Sequence, residues 1–329
     1  MQPCVFMGTP EWALPSLRAL TQSALVRVVG VIAQTAKPAG RHRQVRPSPV
    51  QEAAQALNLP LITPEKAGDP EGMAALDRWR PALIVVCAYG RILPKRVLEH
   101  PPLGCWNLHF SLLPRWRGAS PVQSAILAGD AFSGVSLQRM VQALDAGAIA
   151  AETRPLPILP DDNAATLGER LAAASAALLT EALPVLLSGQ PPLREQDAAQ
   201  VTTCGTIRKE QGAVDWERDG AAQILRQWRA YSPWPGCFGY LAGRRIEFTR
   251  MEAGDPPDLP AAPAAAPGTL LAGGWIRARE GFLHVLEVKP EGKRPMPIES
   301  FLNGSPKSLG QPFSPDLPSA HDASRGYRT

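Results

Sequence analysis

Two short apolar runs, Val5-Phe6-Met7 and Val26 to Ala33, enclose a stretch from Glu11 to about Thr21 whose apolar positions recur at helical spacing. This predicts strand, helix and strand, the alternation of a parallel sheet. Leu83-Ile84-Val85-Val86-Cys87-Ala88 is apolar throughout, as expected of a central strand covered on both faces. Gly8-Thr9-Pro10-Glu11 marks a close strand-to-helix turn, the kind of strand end where ligands of open α/β sheets collect. It lacks the Gly-x-Gly-x-x-Gly pattern of a dinucleotide site. Gly134 to Met140 reads as a further strand.

Thr166-Leu167-Gly168-Glu169 has capping-box spacing and opens a predicted helix reaching about Leu187. Gly189-Gln190-Pro191-Pro192 breaks it, and residues 190–204, polar and unpatterned, read as a linker. From Gly205 the pattern changes to one short helix (Ala221 to Trp228) and short strands, among them Arg245 to Phe248, Gly274 to Arg277 and Phe282 to Leu286. Short strands divided by Gly and Pro suggest a small β-barrel. Asp255 to Pro267 is a Pro/Ala-rich loop, and the tail from Gly304 to Thr329 is expected to be disordered. The predicted organisation is an α/β domain over 1–189, a linker over 190–204, a barrel over 205–303 and a tail over 304–329.

With 329 residues, 45% of them hydrophobic, the chain can fill two cores. No run of about 18 apolar residues is read, so no membrane span is expected. A strand starting at Cys4 leaves no room for a leader, and a cytoplasmic location is expected. The five cysteines (Cys4, Cys87, Cys105, Cys204, Cys237) are scattered without Cys-x-x-Cys spacing and are read as reduced thiols, not a metal site. The net charge of +4 is uneven: residues 1–50 carry Arg18, Arg27, Lys37, Arg41, Arg43 and Arg46 against Glu11 alone. Four of these, Lys37, Arg41, Arg43 and Arg46, fall in a loop with Pro and Gly and no apolar periodicity. Such a loop either holds phosphates or is simply solvated.

The densest chemistry lies between Cys105 and Pro121. Asn107 and His109 are two apart, so on a strand an amide and an imidazole leave the same face, and Pro114 is expected to end that strand. Taken alone, the pair fits equally well a hydrogen bond that holds a loop. Asp145, in Leu144-Asp145-Ala146-Gly147, taken alone is an ordinary turn aspartate.

Asn107-Leu108-His109-Phe110-Ser111-Leu112-Leu113-Pro114 resembles the motif of the enzymes that take a formyl group from 10-formyltetrahydrofolate. Arg115 to Pro121, Gly8-Thr9-Pro10, Arg46-Pro47-Ser48-Pro49-Val50 and Tyr231-Ser232-Pro233-Trp234-Pro235 are similar to the members acting on initiator methionyl-tRNA, over roughly residues 1 to 303. The resemblance implies a Rossmann-like formyltransferase domain with a parallel sheet, followed by a small OB-like β-barrel domain that contacts tRNA. It implies catalysis by Asn107 as amide donor and His109 as donor and proton carrier, with Asp145 fixing the imidazole's tautomer and no metal required. Folate is expected against Ser111, Leu112, Leu113 and Pro114, with walls from the Leu83 to Ala88 strand and from Tyr89, Gly90 and Ile92. The tRNA is expected on Lys37, Arg41, Arg43 and Arg46, with Arg244, Arg245, Lys293 and Arg294 of the barrel as weaker candidates, and the enzyme is expected to be a monomer. A formyltransferase for a small amine, such as an amino sugar nucleotide, and a formyltetrahydrofolate hydrolase are the alternatives. Phe110 stands where these enzymes usually have a small residue, and is expected to reshape the pocket.

Overall fold

The computed structural model describes residues 1–35, 38–39, 44–257 and 264–316, and only the backbone of 38–39 and 44–45. Lys37, Arg41 and Arg43, part of the Asp255 to Pro267 loop, and the tail beyond Asp316 lie outside the described residues. The chain forms two compact units: residues 1–125, 130–159 and 166–206, and residues 126–129, 160–165 and 207–329.

In the first unit a seven-stranded sheet runs in the order Ile149–Glu152, Ser136–Arg139, Cys105–His109, Leu83–Cys87, Gln2–Gly8, Val26–Ile32, Leu61–Ile62. The five strands from Cys105–His109 to Leu61–Ile62 are parallel; Ser136–Arg139 runs against them, and Ile149–Glu152 pairs antiparallel with Ser136–Arg139. The chain starts mid-sheet at Gln2–Gly8, builds outward to Leu61–Ile62, then returns to the other side at Leu83–Cys87. The order therefore reverses beside Gln2–Gly8, and a crevice opens at the carboxyl ends of such neighbouring strands. Val5, Met7, Ile32, Ile84 and Val86, all apolar for lack of a solvent face, form the centre of the core.

The long helix is Ala164–Leu187. It begins two residues before Thr166, and the Asn163 side chain accepts from Ala165 N at 2.9 Å. Contrary to the sequence reading, this helix is long and apolar enough to cross a membrane, with an 18-residue window of mean hydropathy 1.5. Arg170 and Glu181 hide that window from a search for unbroken apolar runs, while its alanines and leucines raise the mean. One stripe (Leu167, Leu171, Ser175, Leu178, Leu179, Leu183, Leu186) is buried, as in the core helix of a globular domain. Ser175 Oγ lies 2.9 Å from Ser16 Oγ, tying the helix to Leu14–Gln22.

In the second unit, helix Ala221–Ala230 accompanies a curled antiparallel sheet ordered Cys237–Leu241, Arg244–Gly254, Phe282–Pro290, Trp275–Arg277, with Met296–Pro297 also on Phe282–Pro290. Register breaks at Phe248/Arg250 and Arg250/Met251 interrupt the longest strand, and such bulges bend and twist a sheet toward barrel curvature. The tail differs from expectation. Residues 305–316 return to the sheet through Pro306–Ser308 and bridges from Pro312 to Thr269 and from Ser314 to Tyr240. The reason is Phe313, 5% exposed, whose ring packs 5.1 Å from Phe248 and 6.3 Å from Trp216. Phe313→Ala is expected to cost about 3–5 kcal/mol through lost burial and the cavity left. Denaturant unfolding followed by Trp fluorescence measures this; an unchanged midpoint would mean the ring contributes nothing.

Candidate active site

Asn107 and His109 lie on Cys105–His109, the last of the parallel strands. Gln138 sits directly opposite Asn107 on the antiparallel neighbour, so its side chain shares the same sheet face. Asp145 reaches that face from the turn joining Ser136–Arg139 to Ile149–Glu152. The turn closes because residue 147 is glycine: a Cβ there would collide with the Arg139 carbonyl oxygen. Asp145 itself has φ of +50°, a left-handed conformation unusual outside glycine, asparagine and aspartate.

The Asp145 carboxylate gathers the site. Oδ1 accepts from Gln138 Nε2 at 2.8 Å and from Asn107 Nδ2 at 3.3 Å, and Oδ2 accepts from Gly118 N at 2.9 Å. His109 Nδ1 lies 3.6 Å from Oδ2, with only 5% of the imidazole and 10% of the carboxylate exposed. On its other side, His109 Nε2 is 2.9 Å from the Trp116 carbonyl oxygen. A carbonyl can only accept, so this contact places a proton on Nε2. One N–H of Asn107 is held by the carboxylate, which orients the amide and leaves the second N–H available to a ligand.

Trp116 is fixed from three directions. Its φ of +60° turns the carbonyl toward His109, its N–H donates to Thr202 Oγ1 at 2.8 Å, and its indole N–H donates to Asp130 Oδ2 at 2.8 Å. Arg115 donates to the same carboxylate through Nε at 2.8 Å and Nη2 at 2.5 Å, and its guanidinium stacks 4.5 Å from the Trp116 ring. Gly118, at φ +126°, packs so closely on the Cys204 carbonyl that a Cβ would collide with it.

Cys105–His109 ends at His109, five residues before Pro114. Ser111 to Pro114 form a pinned turn instead. Ser111 Oγ donates to Arg115 O at 2.5 Å, and Ser136 Oγ accepts from Leu113 N at 2.9 Å. The single Ser136 proton is shared between Ser111 O at 2.9 Å and Glu152 Oε1 at 2.8 Å. Leu113 is buried and Leu112 half-buried. Cys87 pairs with Leu108, so residues 88–94 leave the sheet beside this turn. Ile92 there is 80% exposed.

Tyr89 is different: its ring is 2% exposed within the sheet's core, among Val5, Met7 and Leu93, and burial pushes its phenol up from the usual range. Only its backbone faces the strand ends, where the carbonyl accepts from Gln34 Nε2 at 2.6 Å and Thr9 Oγ1 at 3.2 Å. Gly90 follows at φ +75°. Phe110 is buried with its ring centroid 6.1 Å from that of Trp12, so its bulk is absorbed by packing. Arg46 is exposed. Among the described residues, no group of three His, Cys, Asp or Glu is arranged to hold a metal.

Four contributors escaped the sequence reading: Gln138, Gln196, the Gly118 N–H and the Trp116 carbonyl. Gln138 carried little signal, since its strand Ser136–Arg139 is polar at three of four positions. The backbone groups carried none. Gln196 lies in the stretch read as a linker, yet that stretch is part of the first unit: Arg194 pairs with Ile149, and Thr203–Cys204 forms a parallel pair with Arg117–Gly118.

Residues 2–183 match the family model described as "Formyl transferase", and residues 206–306 match "Formyl transferase, C-terminal domain". The chain is 44% identical over 300 residues to methionyl-tRNA formyltransferase of Paracoccus denitrificans (strain Pd 1222), covering 91% of this chain and 96% of that one. Among solved structures, methionyl-tRNA formyltransferase from Clostridium thermocellum aligns with a TM-score of 0.54 at 17% identity, covering 77% of this chain and 94% of that one. HypX from Aquifex aeolicus in complex with tetrahydrofolic acid aligns with a TM-score of 0.62 at 16% identity, covering 94% of this chain. This chain spans 48% of the length of HypX.

Proposed function

The chain belongs to the formyl transferase family, and we propose that Asn107, His109 and Asp145 are the groups through which it passes a formyl group from 10-formyltetrahydrofolate to an amine. The activity is formylation of the methionyl amino group of initiator methionyl-tRNA, the reaction for which its relatives are named. The observation that carries the residue assignment is the Asp145 carboxylate, which orients Asn107 and Gly118 and faces His109 on one side of the sheet.

In the reaction the neutral amine forms a C–N bond to the formyl carbon, the formyl oxygen takes up negative charge, and the bond to the folate nitrogen breaks. One proton passes from the amine to that nitrogen. The free N–H of Asn107 donates to the developing oxyanion. His109 donates a hydrogen bond from Nε2 to the same oxyanion and keeps its proton, exchanging the neutral Trp116 carbonyl for a charged and stronger acceptor. Asp145 beside Nδ1 offsets the positive charge when the imidazole holds both protons. The Asn107 amide is set before substrate arrives, so its donor needs little reorganisation as charge develops.

The pinned Ser111 to Pro114 turn and the exposed Ile92, which follow neighbouring strands at the same end of the sheet, supply the apolar surface a pterin ring requires, and Tyr89 and Gly90 shape that end through backbone. Arg46, with Lys37, Arg41 and Arg43, supplies positive charge for the tRNA backbone, which makes binding salt-sensitive. The same reading takes the enzyme as a monomer acting in the cytoplasm.

The test is transfer of labelled formyl from 10-formyltetrahydrofolate to methionyl initiator tRNA, beside methionyl elongator tRNA, uncharged tRNA, an amino sugar nucleotide and no acceptor. Product with the charged initiator alone is expected. Formate release without acceptor would replace this reading with a hydrolase, and product on the sugar with a small-amine enzyme.

A further inference from the structure

Two loops meet over the catalytic face, one carrying the Trp116 carbonyl and the Gly118 N–H, the other carrying Asp145. Neither is long enough to pack a core of its own, so something must fix their separation. Gln196 spans them. Its Nε2 donates to the Asp145 carbonyl at 2.8 Å and to the Gly147 carbonyl at 2.7 Å, while its Oε1 accepts from Arg117 Nε at 2.9 Å. Two acceptors on one side and a donor on the other leave a single orientation of the amide that satisfies all three bonds. The neighbouring backbone does the same work at one remove: Arg117 N donates to Thr202 O at 2.9 Å and Ala119 N to Cys204 O at 3.2 Å.

We propose that Gln196 is a positioning residue for formyl transfer, clamping the Arg117 loop to the Asp145 loop so that the carboxylate meets Asn107, Gly118 and His109 together. The proposal rests on the functional reading above. Gln196 touches no reacting atom. Its effect is geometric, and misplacing a reacting constellation by about 1 Å typically costs on the order of 10²-fold in rate.

Gln196→Glu keeps the side chain's length and the acceptor for Arg117 but sets an anionic oxygen against two carbonyl oxygens. Gln196→Met keeps the length without charge or donor, and serves where the glutamate variant fails to fold. The expected result is a fall in kcat of about 10–100-fold with KM for both substrates within about twofold. Hydrogen exchange at the Gly118 amide is expected to speed up in the variant, because its acceptor on Asp145 is no longer held. A kcat within twofold of the original overturns the proposal. So does a change in KM for tRNA alone, which would make Gln196 a tRNA contact, or an unchanged Gly118 exchange rate. If the unaltered enzyme transfers no formyl group to methionyl-tRNA, the functional reading falls while Gly118 exchange still decides whether Gln196 clamps the loops.

Discussion

Replacing Asp145 with alanine is expected to lower kcat by about 10³–10⁴, the range expected when the carboxylate beside a catalytic histidine is lost. One side chain has this reach because it satisfies several groups at once. Without it, Asn107 Nδ2, Gln138 Nε2 and Gly118 N lose their acceptor together, and His109 keeps only the Trp116 carbonyl. The buried donors left behind cost roughly 1–3 kcal/mol each if no water replaces the carboxylate, so a lower melting temperature accompanies the lost rate. Asp145→Asn separates the two effects. It keeps the size but turns an N–H₂ toward one or more donors, so activity falls nearly as far while stability falls less. Single-turnover formyl transfer with a thermal melt on each variant measures both, and a kcat within tenfold of the original in Asp145→Ala would remove the carboxylate from the mechanism.

Asn107→Ala is expected to lower kcat by about 10²–10³, the usual cost of deleting one donor to an oxyanion. The side chain is half-buried and its removal leaves Asp145 with two other donors, so the fold should persist. KM should hardly move, because the donor serves the transition state more than the bound substrates. Steady-state kinetics with each substrate varied in turn makes the distinction. A raised KM at unchanged kcat would assign Asn107 to binding alone.

The parallel sheet and the shared face of Asn107 and His109 were legible because period-two spacing and uninterrupted apolar runs are local signals. Asp145 was legible only through resemblance, since a turn aspartate announces nothing until a close glycine turn at Gly147 brings it over the sheet. Tyr89 misled for a simple reason: position beside a strand end does not say which way a ring points, and this one completes the core. Gln196 and Phe313 were hidden in polar or Pro-rich stretches whose structure comes from pairing with distant strands, a signal that composition does not contain.

The parallel pairing of Thr203–Cys204 with Arg117–Gly118 also bears on how such a protein could be assembled from parts over evolution. Recombination at the proline break after Leu187, where composition suggests a seam, would detach the strand that backs the catalytic loop. The natural crossover point lies past Thr206, the last residue of the first unit. An ancestor that acquired its C-terminal domain by fusion would have needed to bring that short strand along, or to evolve it in place.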